Sequence, residues 1–155
     1  MAISVIFFTM KNKNKLTTSL EDYLEAILFL EEKNRVARVK DIADFLSVQM
    51  PSVTGALKTL RAKDLVEYER NSFINLTKEG MKIARSIRNK HDILHNFLKD
   101  ILLLHEDIAD DEACKIEHAI DQSTAARINN LTKYIKTMIQ EDKIDADQWQ
   151  KVIME

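Results

Sequence analysis

Residues 36–63 constrain the fold more than any other stretch of the chain. Val39, Ile42, Ala43 and Leu46 recur at helical spacing and predict a short amphipathic helix. Ser47-Val48-Gln49-Met50 then form a tight connection. Pro51 suits the opening turn of the next helix, where its missing N–H would have no partner anyway. That second helix turns Val53, Ala56, Leu57 and Leu60 inward, leaving Ser52, Thr54, Gly55, Lys58, Thr59, Arg61 and Lys63 on the other face. Two helices joined so closely predict a helix-turn-helix, whose second member enters a major groove. Small hydroxyl side chains at its start can approach base edges, and the cations further along can reach phosphates. The plainer alternative is an αα-hairpin with a solvated charged face.

The next segment favours the first reading. Leu65–Glu69 and Phe73–Leu76 alternate apolar and polar residues around Arg70-Asn71-Ser72, which predicts a β-hairpin and so a winged helix. The expected DNA-facing set is Arg38, Lys40, Gln49, Pro51, Ser52, Thr54, Lys58, Arg61, Arg70 and Asn71. Charge agrees with this placement. Residues 35–90 hold 12 Lys/Arg against 6 Asp/Glu, whereas residues 91–155 hold 7 against 14. A basic middle followed by an acidic end predicts a polyanion-binding segment joined to one that does not touch nucleic acid.

Two Gly and one Pro in 155 residues suit a mostly helical chain with short connections. The single Cys excludes an internal disulfide and fits a reducing cytoplasm, the expected location. Residues 1–9 are apolar but too short to span a bilayer, and no basic residue precedes them as a secretory signal requires. They read as a frayed tail or an early start, with Met10 the favoured functional start. No membrane partner is expected.

Elsewhere the pattern is helical. Thr17-Thr18-Ser19 precede a stripe of Leu20, Tyr23, Leu24, Ile27 and Leu28, with Asp22 and Glu25 off it and a stop near Lys33-Asn34. Asp22 alone reads as an ordinary acid at a helix N-terminus. Thr77 caps a long helix along Ala84, Ile87, His91, Leu94, Leu98 and Ile101, with His95 one turn beyond His91. Asp107–Glu112 open a further helix, and Ser123 caps another whose seam is Ile128, Leu131, Ile135 and Ile139. So much one-sided apolar surface on a small chain predicts a homodimer. Residues 140–155 read as a polar tail with one amphipathic turn around Trp149–Val152.

The chemistry concentrates in Asp110–His118, D-D-E-A-C-K-I-E-H. On a helix, Cys114, Glu117 and His118 stand at i, i+3 and i+4 and leave one face together. Thiolate, carboxylate and imidazole supply three of the donors a transition metal needs. A buried Cys beside a solvated Glu and His is the bland alternative. His91, likewise, is at face value a packed histidine.

In order and spacing the chain resembles the metal-dependent repressors related to the diphtheria toxin repressor and the manganese transport regulator. The residues that carry the resemblance are S-L-E-D-Y-L-E-A-I, A-R-V-K-D-I-A-D-F-L-S-V-Q-M-P-S-V-T, L-T-K-E-G, K-H-D-I-L and D-E-A-C-K-I-E-H, from about Ser19 to Ile139. The larger members carry an SH3-like domain, and this chain resembles the short two-domain branch. The resemblance implies a mostly α fold in which an N-terminal winged helix-turn-helix precedes an all-helical metal-binding and dimerisation domain. The expected boundaries are a tail over 1–15, the DNA-binding domain over 16–77, the metal-binding and dimerisation domain over 78–140 and a tail over 141–155.

The resemblance also implies ligands. Asp22, Glu25 and His91 match the manganese branch, and Glu117 and His118 match both branches. Cys114 agrees with the iron branch, whereas the manganese branch has a glutamate there. His91, His95 and Asp110 stand at the iron branch's ancillary metal site, with the histidine and acid of the last two exchanged. A thiolate among carboxylates and imidazoles favours Fe²⁺ as effector, then Mn²⁺, with Zn²⁺, Co²⁺ or Ni²⁺ as in vitro substitutes. The implied function is a metal-responsive repressor of metal-homeostasis genes, acting on a palindromic operator in double-stranded DNA, with no catalysis and no small organic substrate. Metal would join the first helix to the dimerisation domain. The alternative is a winged-helix regulator without metal control. A di-iron enzyme would need two Glu-x-x-His motifs on long helices, and this chain has no such pair.

Overall fold

The computed structural model describes residues 16–69 and 72–155. The tail expected over 1–15 and the wing residues Arg70 and Asn71 lie outside the described residues. The chain divides into two compact units, Met1–Ala84 and Arg85–Glu155.

In the first unit, helix α1 (Thr18–Asn34) starts where Thr17 caps it, the Thr17 hydroxyl accepting the Leu20 N–H at 3.3 Å. It ends as Arg35 turns to φ 64°. Helices α2 (Val39–Phe45) and α3 (Met50–Ala62) follow. Between them Ser47 takes a left-handed φ of 53°, the Val48 N–H reaches Ala43 O at 3.0 Å and the Ser47 N–H reaches Asp44 O at 3.3 Å. That is a Schellman closure, and it makes the expected turn sharp.

Strands β1 (Val66–Tyr68) and β2 (Ile74–Leu76) pair antiparallel, with Glu67 opposite Asn75. Ala37 adds an isolated bridge to Ile74 on the far side. Leu24, Ile27, Ile42, Val53, Leu57, Leu60 and Ile74 are fully buried in one cluster, so helix-turn-helix and wing share a core. Helix α4 (Lys78–Asp100) begins on this unit, capped by Thr77, whose hydroxyl accepts the Gly80 N–H at 3.1 Å. Gly80 is required there, because a Cβ would stand 1.9 Å from Leu65 O.

The second unit contains the rest of α4, α5 (Glu106–Glu117), α6 (Gln122–Gln140) and α7 (Ala146–Met154). Leu94 and Leu98 from α4 meet Ala109 and Ala113 from α5, small residues that let the two helices approach. Two expectations need correction. Asp121, not Ser123, caps α6: its carboxylate accepts the Thr124 N–H at 2.7 Å, and the Ser123 hydroxyl donates to that same carboxylate. The end of the chain forms a nine-residue helix rather than a single turn. Asp145 caps it, and the Trp149 indole N–H donates to Ile101 O at 3.0 Å. Along the α6 seam Ile135 is buried, but Leu131 and the neighbouring Tyr134 are 48% and 60% exposed. Among the described residues no helix is long and apolar enough to cross a membrane.

Candidate metal centre and nucleic-acid interface

The second unit brings five of the expected donors together. Helix α5 presents Asp110, Cys114 and Glu117 at i, i+4 and i+7, and His118 follows as its C-cap while still helical in conformation (φ −77°, ψ −20°). Across from them α4 supplies His91. Its Nδ1 lies 3.0 Å from Glu117 Oε2 and its Nε2 lies 3.1 Å from Asp110 Oδ1. Cys114 Sγ is 3.7 Å from the same Nδ1. His118 Nε2 stands 3.2 Å from the other Glu117 oxygen.

Glu117 is the centre of this set. It is only 1% exposed, so a carboxylate lies in the interior between two imidazoles. Burying such a charge is costly without cationic or hydrogen-bonding compensation. As they stand these groups satisfy one another, and among the described residues no trio of His, Cys, Asp or Glu is spaced to hold an ion. By chemistry the set nevertheless fits a first-row divalent cation, because carboxylate, imidazole and thiolate share one short interval. Asp22 and Glu25 stand at i and i+3 on α1, half-buried, in the first unit.

Three partners escaped the sequence reading. The Lys90 ammonium, 9% exposed, donates to Glu117 O and, at 3.3 Å, to Ile120 O, tying down the end of α5 that carries Glu117 and His118. The signal was present: Lys90 lies on the apolar stripe of α4, between Ile87 and Leu94. His95 takes its acid from Glu106, at 3.1 Å, while Asp110 pairs with His91. Lys99 lies 2.5 Å from Glu106 and is the main reason its carboxyl sits below the usual range, with the Lys99 ammonium raised in return. No pattern announces Glu106. The His91 and His95 rings stack, 6.2 Å between centroids and 12° between planes.

The first unit carries a groove of about 1060 Å³ between the helix-turn-helix and the wing. Of the expected DNA-facing residues, Arg38, Lys40, Thr54, Lys58 and Arg61 line it. The Thr54 hydroxyl is turned back onto Met50 O at 3.1 Å. Gln49, Pro51 and Ser52 are exposed at the start of α3, and Gln49 makes no capping hydrogen bond with its side chain. Val39, Met50, Tyr68, Ser72 and Phe73 complete the groove, and sequence pattern did not place them in the DNA-facing set.

Comparison with known proteins decides what this pairing of a basic groove with a buried donor set means. Residues 15–72 match the iron dependent repressor N-terminal DNA binding domain, and residues 77–146 match the iron dependent repressor metal binding and dimerisation domain. An HTH-type transcriptional regulator of Methanocaldococcus jannaschii is 35% identical over 125 residues, 80% of this chain and 100% of that protein. The chain belongs to the iron-dependent repressor family.

The HTH-type transcriptional regulator MntR of Bacillus subtilis is 36% identical over 120 residues, covering 77% of this chain and 84% of the relative. Among solved structures, the manganese regulator SloR superposes with a TM-score of 0.66 at 32% identity, over 74% of this chain and 54% of that one. A manganese-dependent transcriptional repressor in complex with manganese gives 0.65 at 25% identity, over 74% and 53%. This family member spans about half the length of those solved chains. Its family is one of DNA-binding transcriptional regulators that depend on a divalent metal and dimerise through the C-terminal domain.

Proposed function

We propose that this chain is a homodimeric repressor of metal-homeostasis genes. In this reading Asp22, Glu25, His91, Cys114, Glu117 and His118 hold its effector ion, with His95 and Asp110 as ancillary donors. The observation that carries the reading is Glu117, a carboxylate shielded from water between two imidazoles with a cysteine sulfur alongside. Carboxylate, imidazole and thiolate together are the donors a first-row divalent cation takes. Cys114 favours Fe²⁺ over Mn²⁺, because a thiolate is the softest donor present. The relatives named for manganese keep Mn²⁺ second.

The coupling to DNA follows from where the donors stand in sequence. Asp22 and Glu25 are part of α1, which shares its core with α2, α3 and the wing. The remaining ligands stand on α4 and α5. Donors from both units on one ion would restrict how the DNA-reading unit is held. A palindromic operator demands recognition helices about 34 Å apart across a two-fold axis. A dimer competent for only a fraction of the time binds with its affinity reduced by that fraction. Any ligand that favours the competent arrangement raises DNA affinity, and DNA raises its affinity by the same factor. The basic groove supplies the phosphate contacts, and Gln49, Pro51 and Ser52 at the start of α3 are set to approach base edges, with Arg70 and Asn71 on the wing.

The test is duplex binding by fluorescence anisotropy, using operator DNA selected from a random pool, with and without Fe²⁺ or Mn²⁺. Wild-type protein is expected to tighten with metal and Asp22→Ala to lose that response while keeping its metal-free affinity. Equal metal responses in the two proteins would remove Asp22 from the bridge. Binding untouched by chelator would remove metal control altogether.

A further inference from the structure

Phe73 is a large aromatic left 46% exposed at the base of the wing. Its ring lies beneath Arg38, with the guanidinium carbon 5.1 Å from the ring centroid. Backbone geometry makes the pair. The Ile74 N–H donates to Ala37 O at 2.9 Å in an antiparallel bridge, so the next residues, Arg38 and Phe73, fall opposite each other. Among the described residues Arg38, Lys40, Lys58 and Arg61 have no carboxylate ion pair, although all four line one groove. Among the described residues no acid therefore neutralises their charge. A guanidinium lying over an aromatic face keeps its N–H donors available at the edge and loses much of its rotamer freedom before any ligand arrives.

We propose that Phe73 is a positioning residue for DNA binding, holding the Arg38 guanidinium over the groove so that it contacts one phosphate of duplex DNA. This rests on the DNA-binding reading above and deepens it. A lysine in place of Arg38 could neutralise a phosphate but would not match it with a planar fork of donors. The interaction is with the backbone and therefore independent of base sequence, so it steers and registers the wing rather than reading an operator.

The experiment measures binding of the full chain, with Mn²⁺ present, to a mixed-sequence duplex of about 30 base pairs, long enough for two half-sites one turn apart. Affinity is followed against NaCl concentration. Arg38→Gln is expected to weaken binding and flatten the slope of log K against log salt by about 0.9, the loss of one phosphate contact. Phe73→Ala should flatten it by most of that amount, and Phe73→Tyr should restore it. Phe73→Leu keeps an apolar side chain without a π face, and should behave as Phe73→Ala does while guarding against a loss of folding. The double variant Arg38→Gln/Phe73→Ala should bind no worse than Arg38→Gln. A wild-type slope in Phe73→Ala and Phe73→Leu, or losses that add in the double variant, would overturn the proposal while leaving DNA binding intact. Wild-type protein that binds no duplex would overturn the DNA-binding reading and this inference together.

Discussion

His91 Nδ1 and Glu117 Oε2 lie 3.0 Å apart, joining α4 to the end of α5 through a carboxylate that water scarcely reaches. The second Glu117 oxygen faces His118 at 3.2 Å, so among the described residues the acid lies between two imidazoles, which are metal ligands by type. An ion coordinated here would replace each of these hydrogen bonds.

Metal binding should therefore stabilise the chain, and Glu117 should carry the effect. At about a hundredfold excess over its dissociation constant, Mn²⁺ is expected to add roughly 2.7 kcal/mol. Thermal melts with Mn²⁺ and with chelator read the difference. Glu117→Gln keeps the size and a hydrogen-bonding oxygen but removes the charge. Its melting temperature should be nearly the same with and without metal. A full wild-type shift in this variant would exclude Glu117 from the ligand set.

The legible parts of this molecule were those set by neighbours in sequence. The helix start at Thr17-Thr18-Ser19, the Thr77 cap, the turn before Pro51 and the alternation of the wing are local, and the structure forms each where the pattern indicated. Cys114, Glu117 and His118 were visible because a single helix sets their spacing. His91 was visible as a polar interruption in an apolar stripe and, through the K-H-D-I-L motif, in the family resemblance. What escaped depends on distant partners. Trp149 belongs to a stable helix because Ile101 O, 48 positions earlier, accepts its indole N–H. Glu106 becomes the partner of His95 through the packing of α4 on α5. Asp121 outcompetes Ser123 as a cap because its carboxylate accepts from both the Thr124 amide and the Ser123 hydroxyl.

Cys114 should set metal preference. Its sulfur lies 3.7 Å from the His91 nitrogen that faces Glu117, close enough to join the same coordination sphere after small side-chain rotations. In wild-type protein Co²⁺ should give a near-ultraviolet thiolate-to-cobalt absorption band, absent in Cys114→Ser. Cys114→Glu should shift relative affinity toward Mn²⁺ and away from Zn²⁺, since a hard oxygen replaces a soft sulfur. Competition titrations measure the ratio. An unchanged spectrum and ratio in both variants would leave the sulfur outside the site.

The two glycines predict opposite outcomes for one substitution. Both stand in helices, where Ala is normally favoured over Gly by roughly 0.5–1 kcal/mol. A Cβ at Gly55 meets nothing within 4 Å, so Gly55→Ala should stabilise by about that amount. At Gly80 the Cβ would stand 1.9 Å from the Leu65 carbonyl oxygen, a backbone atom that cannot swing aside. Leu65 O also accepts the Thr77 N–H at 3.1 Å, so moving it disturbs the entry to α4. Gly80→Ala should destabilise by about 1–3 kcal/mol, as overpacking does. Denaturant melts of the two variants, compared at constant m-value, provide the check.

Glu31 gives the stability curve a pH dependence of definite sign. Its Oε1 accepts the Leu76 N–H at 3.2 Å, tying α1 to β2, while Oε2 is shielded from water and has no hydrogen-bond partner among the described residues. Burial pushes the carboxyl above its usual range, the Leu76 hydrogen bond opposes that shift, and neighbouring Glu32 adds to it. The folded state therefore holds the Glu31 proton more tightly than the unfolded state. Below the unfolded-state value of about 4.3 both states are protonated and nothing is lost. As pH rises through the folded value, the stability contributed by the protonated acid disappears. Glu31→Gln cannot ionise and retains an acceptor for Leu76. The difference in melting temperature, Glu31→Gln minus wild type, should become more positive as pH rises above about 4.3 and level off once pH has passed the raised folded-state value. A difference that is flat, or that falls with pH, would mean that the ionised carboxylate is compensated in the folded protein.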